Sequence, residues 1–193
     1  MTTDLLDPRT ALVIIDLQRG IVAAPTVPHS TDDVIGRSAE LARVFRARDL
    51  PVFPVRVSFA PDHADAAPGR TERPLTGTPP QGWDELVAEL DVQPTDIRIT
   101  KRHWGAFHGT DLDLQLRRRG ITAIVLTGIA TSIGVESTAR AAHEHGYTVI
   151  VATDAIADRD TASHDHSITK IFPRLGLTAT TKQLLDELAA PPA

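Results

Sequence analysis

The chain has 193 residues, 41% apolar and 23% charged, which is enough for one domain with a substantial core and cramped for two. A formal net charge of −5 leaves no electrostatic footprint for nucleic acid or an anionic membrane, and no apolar run approaches the roughly 20 residues needed to cross a bilayer. The absence of cysteine excludes disulfides, thiolate metal sites and any thiol nucleophile.

The N-terminus, Met1-Thr2-Thr3-Asp4, has neither the basic nor the apolar region of a signal peptide, so a cytoplasmic protein is expected. Ala11 to Ile15 is a fully apolar run ending at Asp16, the pattern of a strand buried on both faces. Ser30 or Thr31 caps a predicted helix whose apolar positions include Val34, Ile35, Leu41, Ala42 and Phe45. Pro51 to Val57 reads as a second strand, with Pro51 tolerated at its start. Residues 60–81 are rich in Pro, Gly, Ala, Asp and Arg and read as a long surface loop that shapes specificity.

A short helix is predicted over Trp83 to Leu90 and a strand over Asp96 to Thr100. Asp111 to Arg119 is helical, with Gly120 just past its end and Arg117-Arg118-Arg119 as a solvated basic face. The strand Ala123 to Thr127 feeds a glycine-containing turn and a helix ending near Gly146. A strand at Thr148 to Thr153, a helix over Ala162 to Phe172, a weak strand at Leu177 to Ala179 and a helix from Thr181 to Leu188 follow. The alternation predicts an α/β fold: a three-layer, doubly wound, six-stranded, mainly parallel sheet with helices on both faces, in one domain spanning residues 1–193.

In such a sheet ligands bind beyond the carboxyl ends of the strands. Asp16 follows the first strand there, Lys101 the third, and the Gly128 to Gly134 turn the fourth. Taken alone, Asp16 and Lys101 also fit a structural salt bridge. The turn enters its helix through small residues, and unpaired amides at such a helix start bind an oxyanion or a carboxylate. Gly134 lets a substrate lie against bare backbone, or serves only close helix packing.

Four segments, in order and over nearly the whole chain, resemble the isochorismatase-like hydrolase (cysteine hydrolase) superfamily. They are Val13-Ile14-Ile15-Asp16-Leu17-Gln18; Lys101 with Trp104 to Leu112; Gly128-Ile129-Ala130-Thr131 through Ala142; and Gly146-Tyr147 followed by Asp154-Ala155. The resemblance implies a catalytic Asp16 and Lys101, with Gly134 where most members carry the nucleophilic cysteine. It further implies a cis peptide at Ile129–Ala130, with the Ala130 and Gly134 amides binding a substrate oxygen. The non-thiol branch that this sequence resembles cleaves a vinyl ether by acid catalysis from the aspartate. The expected function is therefore hydrolysis of a vinyl ether or related C–O bond in a small molecule by Asp/Lys acid–base chemistry. The alternatives are a catalytically silent binder and an amidase acting through activated water, Ser132 or Thr131.

Gln18 is placed to bind substrate or to fix a loop, and Trp104 and Phe107 to wall a pocket or to pack under a loop or at a subunit contact. Some members hold a metal through an Asp-x-His motif; Asp62-His63 lacks that spacing, so neither metal nor cofactor is expected and His63 reads as a loop residue. His103 and His108 read as surface or interface residues, Asp154 as a structural hydrogen-bonding group, and His164 and His166 receive no role. A homodimer or homotetramer is implied by the resemblance alone.

Overall fold

The computed structural model describes residues 5–74 and 76–189; the N-terminal residues 1–4 and Leu75 of the long loop lie outside them. Its six strands are β1 (Thr10–Ile15), β2 (Val52–Val57), β3 (Ile99–Lys101), β4 (Ala123–Ile129), β5 (Thr148–Ala157) and β6 (Leu177–Ala179). They lie in the order β3-β2-β1-β4-β5-β6, and every pairing is parallel. The sequence order reverses between β1 and β4, which makes their carboxyl ends the topological switch point where such sheets open a crevice.

Parallel strands must be joined by crossovers: among the described residues α1 (Arg19–Val22) and α2 (Thr31–Ala47) lie between β1 and β2, α3 (Leu112–Arg118) between β3 and β4, α4 (Glu136–Glu144) between β4 and β5, and α5 (Thr161–His166) and α6 (Phe172–Leu175) between β5 and β6, while α7 (Thr181–Ala189) follows β6. Side chains alternate across the strands, so each face has its own core. Val13, Ile15, Phe53, Leu126 and Val151 pack with Leu112, Leu116, Ala139 and Phe172 on one side. Leu12, Ile14, Val125 and Ile150 pack with Leu41, Phe45 and Leu184 on the other. Ser30 caps α2 by accepting a hydrogen bond from the Asp33 amide at 3.1 Å.

Two expectations change. No helix covers 83–90; only a single turn at Ala88–Leu90 forms. The carbonyls that a helix would use are taken instead by the start of α1: Gly20 donates to Trp83 O at 2.7 Å and Arg19 to Glu85 O at 2.9 Å, while Gln18 bridges Leu86. Tertiary pairing overrides a helical pattern here. The fifth strand also runs past Thr153 to Ala157, regaining register with β4 after a shift between Leu126 and Gly128.

Phe45 is fully buried where α2 meets β1 and β5. Phe45→Ala should lower unfolding free energy by about 3–5 kcal/mol, the usual cost of emptying an aromatic core site. Urea denaturation checks this, and a loss under about 1 kcal/mol would contradict the packing.

Candidate active site

β1 ends against the switch point, and the chain leaves it through Asp16 in the left-handed region, φ +52°. Aspartate tolerates that region better than most residues, yet such strain costs on the order of 1–3 kcal/mol. The Asp16 amide still donates to Val55 O at 3.0 Å, and its carbonyl accepts from the Gln18 amide at 2.9 Å.

Lys101 ends β3, two strands away. Neighbouring strands lie about 4.8 Å apart, so only a long side chain crosses the intervening end of β2 to reach β1. Its Nζ contacts Asp16 Oδ2 at 2.7 Å and donates to the Trp104 carbonyl at 2.7 Å, which places two of an ammonium's three protons. Both groups are withdrawn from solvent, with Asp16 5% and Lys101 2% exposed. Asp16 Oδ1 is buried and has no hydrogen-bond partner. Most buried polar atoms in folded proteins find a partner, so an orphaned carboxyl oxygen beside a paired one is a departure.

Burial pushes the Asp16 carboxyl up from 3.8 to about 6, and the attraction and hydrogen bond of Lys101 offset only part of that. Ionised Asp16 therefore costs the folded state on the order of 3 kcal/mol relative to the unfolded chain. The folded state holds this proton more tightly, so the cost is absent below pH about 4 and complete above pH about 6.

The third component comes from the turn after β4. Gly128, φ +116°, lies so close to β1 that a Cβ there would fall 2.0 Å from Ile15 O, and only glycine fits. The Ile129–Ala130 peptide is cis. The π-turn Thr131–Val135 then runs directly into α4. A Cβ on Gly134 would lie 3.3 Å from Asp16 Oδ2, 3.5 Å from Lys101 Nζ and 2.8 Å from Ile15 Cγ2. Acid, base and bare backbone thus meet at one point.

Residues that hold the turn were invisible in the sequence. Asp158, buried at the end of β5, accepts from the Ser132 amide at 2.6 Å and the Arg159 amide at 2.7 Å. Thr138 donates to Gly134 O at 2.7 Å and accepts from the Ala106 amide at 3.1 Å, tying α4 to the loop after Lys101. Thr131 Oγ1 lies 2.9 Å from Nδ1 of the buried His164, whose imidazole is pushed toward its neutral form by burial and by nearby His29. The short strand expectation hid Asp158, and no residue spacing pairs Thr131 with His164.

Other candidates are placed elsewhere. Gln18 is a correction: its amide is consumed by Val57, donating to the carbonyl at 2.9 Å and accepting from the N–H at 2.8 Å, so it fixes a loop. Phe107 is the second: it packs in the core against Tyr147 and His145, with ring centroids 5.8 and 5.1 Å away. Trp104 gives its carbonyl to Lys101, and the residue is 66% exposed. Ala130 stands at the turn, its carbonyl accepting from the Ile133 and Val135 amides at 3.2 Å each. His63 holds the long loop through Gly77 O, His103 and His108 stack edge-on at 4.5 Å, and Asp154 accepts from the start of α7. Among the described residues no group of three or more His, Asp or Glu is arranged to hold a metal. A hollow of about 420 Å³ between β2, β3 and residues 85–92 lies apart from this chemistry.

A doubly wound parallel sheet with a buried aspartate–lysine pair at its switch point is the α/β frame on which the comparisons fall. The family model described as an isochorismatase domain matches residues 10–183, and the chain belongs to the isochorismatase family of hydrolases. It is 46% identical over 180 residues to the isochorismatase family protein YecD of Escherichia coli O157:H7, covering 93% of this chain and 96% of YecD. A structure of an isochorismatase family protein from Burkholderia thailandensis superposes with a TM-score of 0.92 at 51% identity, covering 96% of this chain and 98% of that one. The ureidoacrylate amidohydrolase RutB of Methylobacterium radiotolerans is 33% identical over 175 residues, 78% of this chain and 68% of RutB.

Lys101→Met removes the largest influence opposing burial, so Asp16 should titrate well above 6 in that variant. Carbon-13 NMR of the Asp16 carboxyl measures it, and an unchanged or lower value would contradict the coupling. Gly134→Ala should cost about 1–3 kcal/mol through overpacking against Ile15 despite alanine's better helix propensity, and should cost less in an Ile15→Ala background. A stabilising Gly134→Ala, read by thermal melting, would contradict the close approach.

Proposed function

We propose that this protein hydrolyses a small molecule at a vinyl ether or related C–O bond by acid–base catalysis from Asp16 and Lys101, without a covalent thiol step. One observation carries the reading: a buried carboxyl with an unpartnered oxygen, pushed up to about 6, stands beside a lysine and beside backbone that has no side chain. Residue 134, where the family resemblance puts the cysteine, is glycine, and the chain contains no cysteine.

In the proposed cycle the neutral Asp16 passes its proton from Oδ1 to the vinyl carbon, leaving a cation stabilised by the ether oxygen. Water adds to that cation and returns a proton to Asp16. The resulting hemiketal then separates into a carbonyl compound and an alcohol, so atoms and charge balance. Lys101 holds Asp16 Oδ2 in place and offers its remaining N–H to substrate oxygen, while the Ala130 and Gly134 amides bind a further oxygen. A carboxyl titrating near 6 suits this work, because it keeps a useful neutral fraction near neutral pH.

A second reading, an amidase using activated water, is favoured by the amidohydrolase relative and by the Thr131–His164 contact at 2.9 Å. A silent binding module fits less well, since the strained φ of Asp16 and its desolvated carboxyl would be costs with no use. We further propose association into a homodimer or homotetramer, with exposed Trp104 as a contact, and a cytoplasmic setting; no helix among the described residues is long and apolar enough to cross a membrane.

A panel of vinyl ethers, esters, amides and ureides tests these readings. Wild type should turn over the vinyl ethers, and Asp16→Asn should lower kcat/KM by about 10²-fold or more. Above pH about 6 the rate should fall about tenfold per unit as Asp16 loses its proton. A few-fold loss in Asp16→Asn would remove Asp16 from catalysis, and turnover confined to amides would replace the C–O reading with the amidase one.

A further inference from the structure

On one face of the sheet α2 and α7 cover β1, β4 and β5. The connection from β2 to the edge strand β3 spans residues 58–98, and among the described residues it carries only the single turn Ala88–Leu90. No crossover helix is therefore built over β2 and β3. Side chains alternate along a strand, and Phe53, Val55 and Ile99 point into the opposite core, so Pro54, Arg56, Arg98 and Thr100 stand on the face without a helix. The parallel register sets Arg56 beside Thr100. Residues 85–92 pass over this face and leave the hollow of about 420 Å³. Small-molecule sites measure roughly 300–1,000 Å³, so the space is of ligand size.

Most of the charge around the hollow is matched. Arg56 pairs with Asp84 at 3.2 Å and donates to Thr100 Oγ1 at 3.2 Å, and Glu85 pairs with Arg19 at 2.8 Å. Glu89 and Asp91 belong to the covering segment but do not line the space. Arg98 is exposed, and its guanidinium makes no ion pair or hydrogen bond with the described residues. The Thr100 hydroxyl accepts from Arg56 and gives its own proton to none of them. What remains is one positive charge and one O–H donor beside an apolar wall of Pro54, Leu86, Val87 and Val92. A carboxylate fits the planar fork of a guanidinium and brings a single negative charge. A dianion would carry a second charge toward Glu85 and Asp84.

We propose that this hollow is a second small-molecule site, which takes a monoanionic carboxylate with an apolar body: Arg98 holds the carboxylate and the segment 86–92 holds the body. It is separate from the site at the switch point, since neither Asp16 nor Lys101 lines it. Its walls nevertheless run on into that pair. Thr100 directly precedes Lys101, and the Val87 amide donates to Leu17 O at 3.1 Å, one residue past Asp16. The inference concerns binding alone and stands whether or not the hydrolase reading does.

3-Phenylpropionate and 3-phenylpropionamide have nearly the same size and shape and differ in charge. Each is titrated into the protein at pH 7.5 and low salt, with the backbone amide resonances of Val87, Ala88 and Thr100 as the readout. The carboxylate should give saturable shifts there with Kd below about 1 mM, at least fivefold tighter than the amide. No saturable shift at these positions, or equal binding of the two probes, would overturn the proposal. Arg98→Gln changes an exposed side chain, and it should bring the two probes within about twofold of each other. A preference that survives this change would remove Arg98 from the site and overturn the proposal as stated. Asp16→Asn should leave the carboxylate shifts unaltered; their loss would place the probe at the switch point instead of in the hollow.

Discussion

The contact between Asp16 and Lys101 is the constraint around which the carboxyl edge of the sheet is built. It joins the ends of two strands that do not touch in the sheet, and it does so with both groups out of water. An ion pair so placed is poor evidence of stability, because desolvation consumes much of the attraction. Its effect is instead to fix positions: β1 and β3 end at heights that let one carboxyl oxygen be held and the other left open. The Trp104 carbonyl completes the hold by anchoring the ammonium from the following loop.

The turn after β4 must then come close without filling the space. Gly128 permits the approach to Ile15, and Gly134 lets the turn pack directly against Ile15 beside the pair. Neither glycine fixes the turn, since both loosen the chain. Rigidity comes from Asp158 on one side and Thr138 on the other, which clamp the turn to β5 and to the Lys101 loop. Three segments distant in sequence thus share one set of hydrogen bonds, and a displacement of any of them would be felt at Asp16.

The elements that position this site were legible because their signals are local. Ala11 to Ile15 is apolar throughout, as a strand covered on both faces must be, and Ser30 announces α2 by its own cap. Asp16, Lys101 and Gly134 were legible as strand-end residues and through the family pattern. The rest depended on partners that no window of sequence contains. Gln18 has the chemistry of a ligand-binding residue until Val57 takes both ends of its amide, and Phe107 that of a pocket wall until Tyr147 and His145 enclose it. Asp158 reads as one acid among several after a strand, and its importance appears only when β5 is seen to continue to Ala157.

Costs accumulate at Asp16 in a way that the remainder of the sheet avoids. Its backbone is left-handed, its carboxyl is desolvated and one of its oxygens has no partner. Other residues show such departures singly, Asp49 and Asp91 in a positive φ and Thr127 in an unpartnered buried hydroxyl, whereas Asp16 combines three, and natural proteins tend to break local agreement where function requires it. The three departures also point to one kind of chemistry. Desolvation favours the protonated acid, the lysine holds one carboxyl oxygen, and the other oxygen is buried without a partner. On the proposed reading, a well-held and weakly acidic proton takes the place of a thiol as the reactive group.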